Sequence, residues 1–155
     1  MNDKTDLTSG REDDVKEFAH LKVPSGFVLN KTPSPFSQIN GPTFDTIIDG
    51  QPVRGFRVEK RHCNRAGIVH GGMMMTFADM VLGSACWDVT DRTAVTIRMT
   101  TDFISMARPG DWVEARADVT RQTSSLIFAS GQINVGQRLV MTMSGIFKPV
   151  GRPRK

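Results

Sequence analysis

His62-Cys63-Asn64-Arg65-Ala66-Gly67-Ile68-Val69-His70-Gly71-Gly72 leads straight into Met73-Met74-Met75-Thr76-Phe77-Ala78-Asp79-Met80-Val81-Leu82-Gly83-Ser84-Ala85-Cys86-Trp87, and the reading of this stretch decides the fold. From His70 to Trp87 the apolar side chains fall almost all round a helix. A helix that is apolar on every side is a buried one. With Thr76, Asp79 and Ser84 inside it, the stretch does not read as a membrane span. The rest of the chain has to cover one long central helix.

Working outward, that cover reads as strands. Residues 43–48 and 53–61 flank Asp49-Gly50-Gln51-Pro52, a hairpin turn. Four runs follow the helix. In 93–106, Val95, Ile97, Met99 and Phe103 are in phase; in 111–121, Val113, Ala115, Ala117 and Val119 alternate with Glu114, Arg116, Asp118 and Thr120. In 126–135, Ile127, Ala129, Ile133 and Val135 share a face, as do Leu139, Met141, Met143 and Phe147 in 139–147. Turn residues at Arg108-Pro109-Gly110-Asp111 and Val135-Gly136-Gln137-Arg138 keep the connections short, which favours antiparallel neighbours. The order is strand, strand, helix, then four strands: an α+β domain with one sheet over one helix.

Upstream, residues 1–10 read as a loose tail and 11–21 as one short helix. Residues 23–42 hold Pro24, Pro33, Pro35 and Pro42 and read as an irregular connection. Phe27, Val28, Leu29, Phe36 and Ile39 make it too apolar for a free linker, so it lies against the body. The expected organisation is an arm at 1–42, a domain at 43–149 and a basic tail at 150–155.

The chain has 155 residues, a length that suits one domain. Its 39% apolar and 23% charged residues exclude collagen, coiled-coil, solenoid and disordered classes. So small a domain leaves little room for a complete site on a large substrate, and a second copy is the natural way to finish one. Lys+Arg 20 against Asp+Glu 16 gives a net charge of +4. Arg57, Lys60, Arg61 and Arg65 lie close together, and Arg152, Arg154 and Lys155 end the sequence, without interleaved aromatics. That argues against a nucleic-acid partner and leaves solvated surface or a phosphate-bearing small molecule. Residues 1–14 hold no apolar stretch of signal-peptide length, and Cys63 and Cys86 form no paired motif. The expectation is a cytoplasmic protein with no membrane contact.

The chemistry gathers around the helix start. Asp79 is the one carboxylate in the apolar helix, and a buried aspartate has to be paired, hydrogen-bonded or functional. It either satisfies hydroxyl and backbone donors in a packed interface or acts as a general base. The glycines Gly71 and Gly72 favour the second reading. They leave helix-start N–H groups unobstructed, and the helix dipole adds partial positive charge suited to a developing oxyanion. His62 and Cys63 lack third and fourth ligands at zinc spacing, so no metal and no cofactor is expected. Met73–Met75 read as core filling.

Asn64-x-x-Gly67-x-x-His70-Gly71-Gly72, with Phe77-Ala78-Asp79 on the helix, resembles the signature of the hotdog-fold acyl-CoA thioesterases of the 4-hydroxybenzoyl-CoA thioesterase superfamily. The closest branch is the phenylacetate-degradation (PaaI-type) and thioesterase-superfamily-member-2-like one, over residues 43–147. The resemblance implies a hotdog fold, an antiparallel sheet wrapped around one long central helix, in homodimers that often pair again as tetramers. It implies hydrolysis of an acyl- or aryl-CoA to a carboxylate and free CoA. Asp79 would be general base or, less often, nucleophile, and the Gly71 N–H would polarise the thioester carbonyl beside Gly72. Asn64 would position water or substrate, His70 would shape the same corner, and Thr96 fills the Ser/Thr position on the strand after the helix. Asp79 and Thr96 would come from one protomer, and Asn64, His70 and Gly71 from the other. CoA phosphates would fall near Phe103–Arg108 and 121–126, which makes Phe103, Arg108 and Arg121 the candidates. Two other readings stay open: a hotdog hydratase or dehydratase acting on acyl thioesters, and a non-catalytic acyl-CoA-binding hotdog protein.

Overall fold

The computed structural model describes residues 17–31 and 33–151. Most of the expected helix at 11–21 and the terminal Arg152, Arg154 and Lys155 lie outside the described residues. Seven strands form one antiparallel sheet: β1 (Val28–Leu29), β2 (Phe44–Ile48), β3 (Gln51–Arg57), β4 (Thr93–Phe103), β5 (Trp112–Gln122), β6 (Ile127–Val135) and β7 (Arg138–Val150). Their spatial order is β1-β2-β3-β5-β6-β7-β4. Among the described residues two α-helices of a turn or more accompany them, α1 (Pro35–Asn40) and α2 (Gly71–Thr90). Among the described residues no helix is long and apolar enough to cross a membrane.

Helix α2 buries Met73, Met74, Phe77, Ala78, Val81, Leu82 and Cys86 against the inner face of the sheet. There Phe56, Val113, Ala115, Ile127, Ile133, Met141 and Phe147 close round it, with the Phe56 and Phe77 rings edge to face at 4.7 Å. Each such side chain stabilises the fold by about 1.5–3 kcal/mol, so this contact organises the domain. The helix runs one turn further than the apolar stretch predicts. It stops at Asp91, whose left-handed backbone (φ 51°) turns its N–H onto the Trp87 carbonyl at 2.8 Å.

The first hairpin is tighter than expected. Asp49 (φ 53°) and Gly50 (φ 77°) make a two-residue turn with positive φ at both positions, which matches strand twist. β3 therefore starts at Gln51, and Pro52 lies within it opposite Ile47. A larger departure occurs in β4. The register steps from Thr96↔Phe147 to Arg98↔Ile146, leaving Ile97 as an extra residue in a bulge. One inserted residue reverses the phase, so Val95 and Ile97 do not share the core face with Met99 and Phe103. Thr96 takes that face instead, and Val95 and Ile97 are 49% and 57% exposed on an edge strand.

The arm is not wholly irregular. It contributes β1 to the sheet edge and the short α1, started by Ser34 as N-cap and Pro35 in the first turn. It also builds a second apolar layer on the outer face. Phe27 and Phe44 pack on the Trp112 ring at 5.0 and 5.8 Å, and Leu21, Phe44 and Val53 are buried. The Arg57 guanidinium lies 5.1 Å over Trp112 and donates to the carbonyls of Leu21, Lys22 and Gly110. Arg61 likewise donates to the carbonyls of Ile39 and Gly41. Two members of the basic cluster thus hold the arm rather than face solvent freely.

Candidate active site

The polar loop before α2 is closed by a Cys63↔Val69 bridge. Asn64 organises its interior. Its N–H donates to the Ile68 carbonyl at 2.9 Å, its carbonyl accepts from Gly67 at 3.0 Å, and its Oδ1 accepts from Ala66 N–H at 2.9 Å. Gly67 stands at φ 74°, which suits glycine. With Oδ1 committed, the Asn64 Nδ2 group makes no hydrogen bond among the described residues and is left to donate outward.

Residue His70 caps the helix. Its backbone N–H donates to the His62 carbonyl at 2.8 Å, which ties the cap to the turn Lys60–His62. Its Nδ1 accepts from Gly72 N–H at 2.9 Å, and its carbonyl accepts from Met73 and Met74 at 2.9 and 3.2 Å. A helix start exposes four amide donors. Three of them are satisfied here, and the Gly71 N–H donates to nothing among the described residues. Phe103, at the end of β4, lies over this turn: a Cβ on Gly71 would stand 3.4 Å from its Cζ. Beside it, Val69 N–H donates to the Ala107 carbonyl, so the segment leading to Arg108 adjoins the same loop.

The second group stands two turns along. Thr96 Oγ1 donates to Asp79 Oδ1 at 2.6 Å, and Asp79 Oδ2 has no partner among the described residues. The bulge at Ile97 turns the Thr96 hydroxyl toward the helix. Eight residues of helix separate Gly71 from Asp79, about 12 Å of rise, so one chain does not bring the open N–H and the carboxylate onto one substrate atom.

The basic candidates are also divided. Arg108 lies in the turn that leads into β5, its N–H on Asp111 Oδ2 at 2.9 Å, and Arg121 lies at the far end of that strand. About 30 Å of strand lies between them. Sequence reasoning passed over Arg138, which reaches from the β6–β7 turn to Ser105 Oγ at 3.0 Å beside Arg108. It also set aside His62, whose ring is buried against Phe56 and accepts from Glu59 N–H at 3.0 Å through Nδ1. Burial first, and Arg61 second, lower its pKa. No sequence pattern marks Arg138, because its contact with Ser105 spans 33 residues, whereas the Glu59–His62 pair, three residues apart, is a local cap. Among the described residues no three His, Cys, Asp or Glu gather as metal ligands.

The model of the thioesterase superfamily matches residues 66–141. The Pseudomonas aeruginosa protein named "Putative esterase PA0474" is 35% identical over 130 residues, 82% of this chain and 97% of that one. Mouse acyl-coenzyme A thioesterase 13 is 33% identical over 90 residues, 55% of this chain and 64% of its own length. The Escherichia coli PaaI protein of the phenylacetic acid degradation operon superposes with a TM-score of 0.69 at 22% identity, over 91% of this chain and 96% of that one.

Proposed function

Since the chain belongs to the hotdog-fold thioesterase superfamily, whose members are thioester hydrolases, we propose that it hydrolyses acyl- or aryl-CoA thioesters at a site completed by a second copy. The mouse relative's name supports the CoA substrate class. Asp79 Oδ2 takes a proton from water as the water oxygen attacks the thioester carbon. The resulting oxyanion rests on the Gly71 N–H, the donor at the helix start that His70 leaves uncapped. Collapse breaks the C–S bond, and the CoA thiolate takes the proton back from Asp79. The products are a carboxylic acid, which ionises, and free CoA. Asn64 Nδ2 donates to water or substrate.

The observation that carries this reading is the Thr96–Asp79 hydrogen bond. It fixes one carboxylate oxygen and leaves the other for water. The second copy follows from β4, a long edge strand with exposed Val95 and Ile97, which is a template for pairing. Gly71 and Phe103 stand at one end of β4, and Asp79 and Thr96 near the other. Antiparallel pairing of two β4 strands about a two-fold axis exchanges those ends and carries the partner's Gly71 and Asn64 to Asp79. The register Gln122↔Ile127↔Phe147↔Thr96 puts Arg121 at the Asp79 end as well. The partner's Arg108 arrives at that same end, which supports Arg108 and Arg121 as phosphate contacts from opposite chains.

The test is Asp79→Asn, assayed by release of free thiol from a panel of acyl-CoAs. Loss of the general base should cost about 10²–10⁴-fold in turnover with the fold intact. Near-normal thiol release by a folded variant overturns the assignment. Dehydration would leave the thioester whole, so thiol release by the unaltered protein also separates hydrolysis from hydratase chemistry.

A further inference from the structure

Glycine destabilises a helix interior relative to alanine, so a glycine kept there needs a cause. At two strand glycines the cause lies within the chain itself. A Cβ on Gly55 would stand 2.5 Å from the Trp112 ring, and one on Gly145 would stand 2.6 Å from Phe147. Gly83 is different. It sits well inside α2, its φ is an ordinary helical one, and a Cβ there would meet nothing within 4 Å. Neither backbone nor packing in the described chain asks for glycine at 83.

Its position supplies a cause. Gly83 is four residues after Asp79 and so lies one turn on along the same helix stripe. Phe103 lies over Gly71 and Thr96 on Asp79, so α2 runs forward as β4 runs back. The next inward-facing residue of β4 beyond Thr96 is Ala94, opposite Pro149, and the next on the helix stripe is Gly83. The two smallest side chains thus flank the Asp79–Thr96 pair on one side, and Trp87 follows Gly83 by one more turn.

We propose that Gly83 determines substrate specificity: the acyl group leaves the thioester carbon at Asp79 and lies along α2 over Gly83, toward Trp87. This rests on the acyl-thioester reading above. The missing side chain is space for the chain or ring of the acyl group, and a side chain at 83 shortens what the site admits. An acetyl group ends before Gly83, whereas an octanoyl or phenylacetyl group passes over it, because the four residues from Asp79 to Gly83 rise about 6 Å.

Calorimetry with non-hydrolysable thioether analogues of acetyl-CoA and octanoyl-CoA tests this, with thiol release from the true thioesters in parallel. Gly83→Leu should lower the octanoyl-to-acetyl affinity ratio by at least about tenfold, since a few methylenes in a pocket discriminate by 10–200-fold. Gly83→Ala should raise the thermal midpoint by about 2–4 °C while lowering the same ratio less. An unchanged ratio in Gly83→Leu overturns the proposal, as does failure of the unaltered protein to bind either analogue. Loss of the dimer, or a lower midpoint in Gly83→Ala, overturns it too, because the space would then belong to the second copy. A changed ratio without thiol release from any substrate would uphold the role of Gly83 and defeat the hydrolysis.

Discussion

His70 decides which amide of α2 stays open. Its ring takes the Gly72 N–H, its carbonyl takes two more, and the Gly71 N–H is left without a partner among the described residues. The residues alone offered two glycines and family resemblance singled out Gly71; the physical reason is a ring nitrogen that occupies the Gly72 N–H. Asp79 was legible as the one carboxylate in the apolar stretch 70–87. Its tie to Thr96 was legible only through family resemblance, because a bulge turns that hydroxyl inward. Thr96→Val keeps the shape and removes the donor. A hydrogen bond to a charged group is worth about 1.5–3 kcal/mol, so kcat should fall about 10–100-fold with KM little changed in steady-state thiol-release kinetics. His62 adds a pH dependence. Burial lowers its pKa below the ordinary 6.5, so the unfolded chain binds its proton more readily than the folded one. Stability is then lost as pH falls through and below 6.5, and protonating Nδ1 also breaks its bond from Glu59 N–H. Thermal midpoints measured across this range should decline on the acid side, and His62→Gln should flatten that decline.

Among elements, α2 and the inner sheet face carry the fold. Leu82 is wholly buried between them, and Leu82→Ala should destabilise by about 2–5 kcal/mol in urea unfolding, with Asp79 and Thr96 unchanged. The helix and the strands after it were legible because side-chain period reports burial directly. Two features were not. The bulge at Ile97 is a single inserted residue, and Val95, Ile97, Met99 and Phe103 alternate as if it were absent. The two-residue β1 is too short to show a period, although the Ser34-Pro35 start of α1 was present to be read. Arg57 and Arg61 looked like surface charge because their carbonyl partners lie at least 20 residues away.

For the whole molecule, the proposed sharing of the site between two chains predicts complementation. Asp79→Asn and Asn64→Ala/His70→Ala chains are each deficient alone. Unfolded together and refolded at equal amounts, half the dimers pair unlike chains, and each of those holds one intact site. Thiol release should recover to about a quarter of the unaltered level. No recovery, with mixed dimers demonstrated, would mean that one chain supplies every group. The arm's seat on Trp112 has a practical consequence of another kind. The chain has two tryptophans and no tyrosine, so its emission comes from Trp87 on the central helix and Trp112 under the arm. Trp112 is shielded by Phe27 and held to Glu114 Oε1 through its indole N–H at 3.0 Å. In a Trp87→Phe background the fluorescence therefore reports on the outer face where the arm sits, and release of residues 18–31 from the sheet would register as a red shift before the domain itself unfolds.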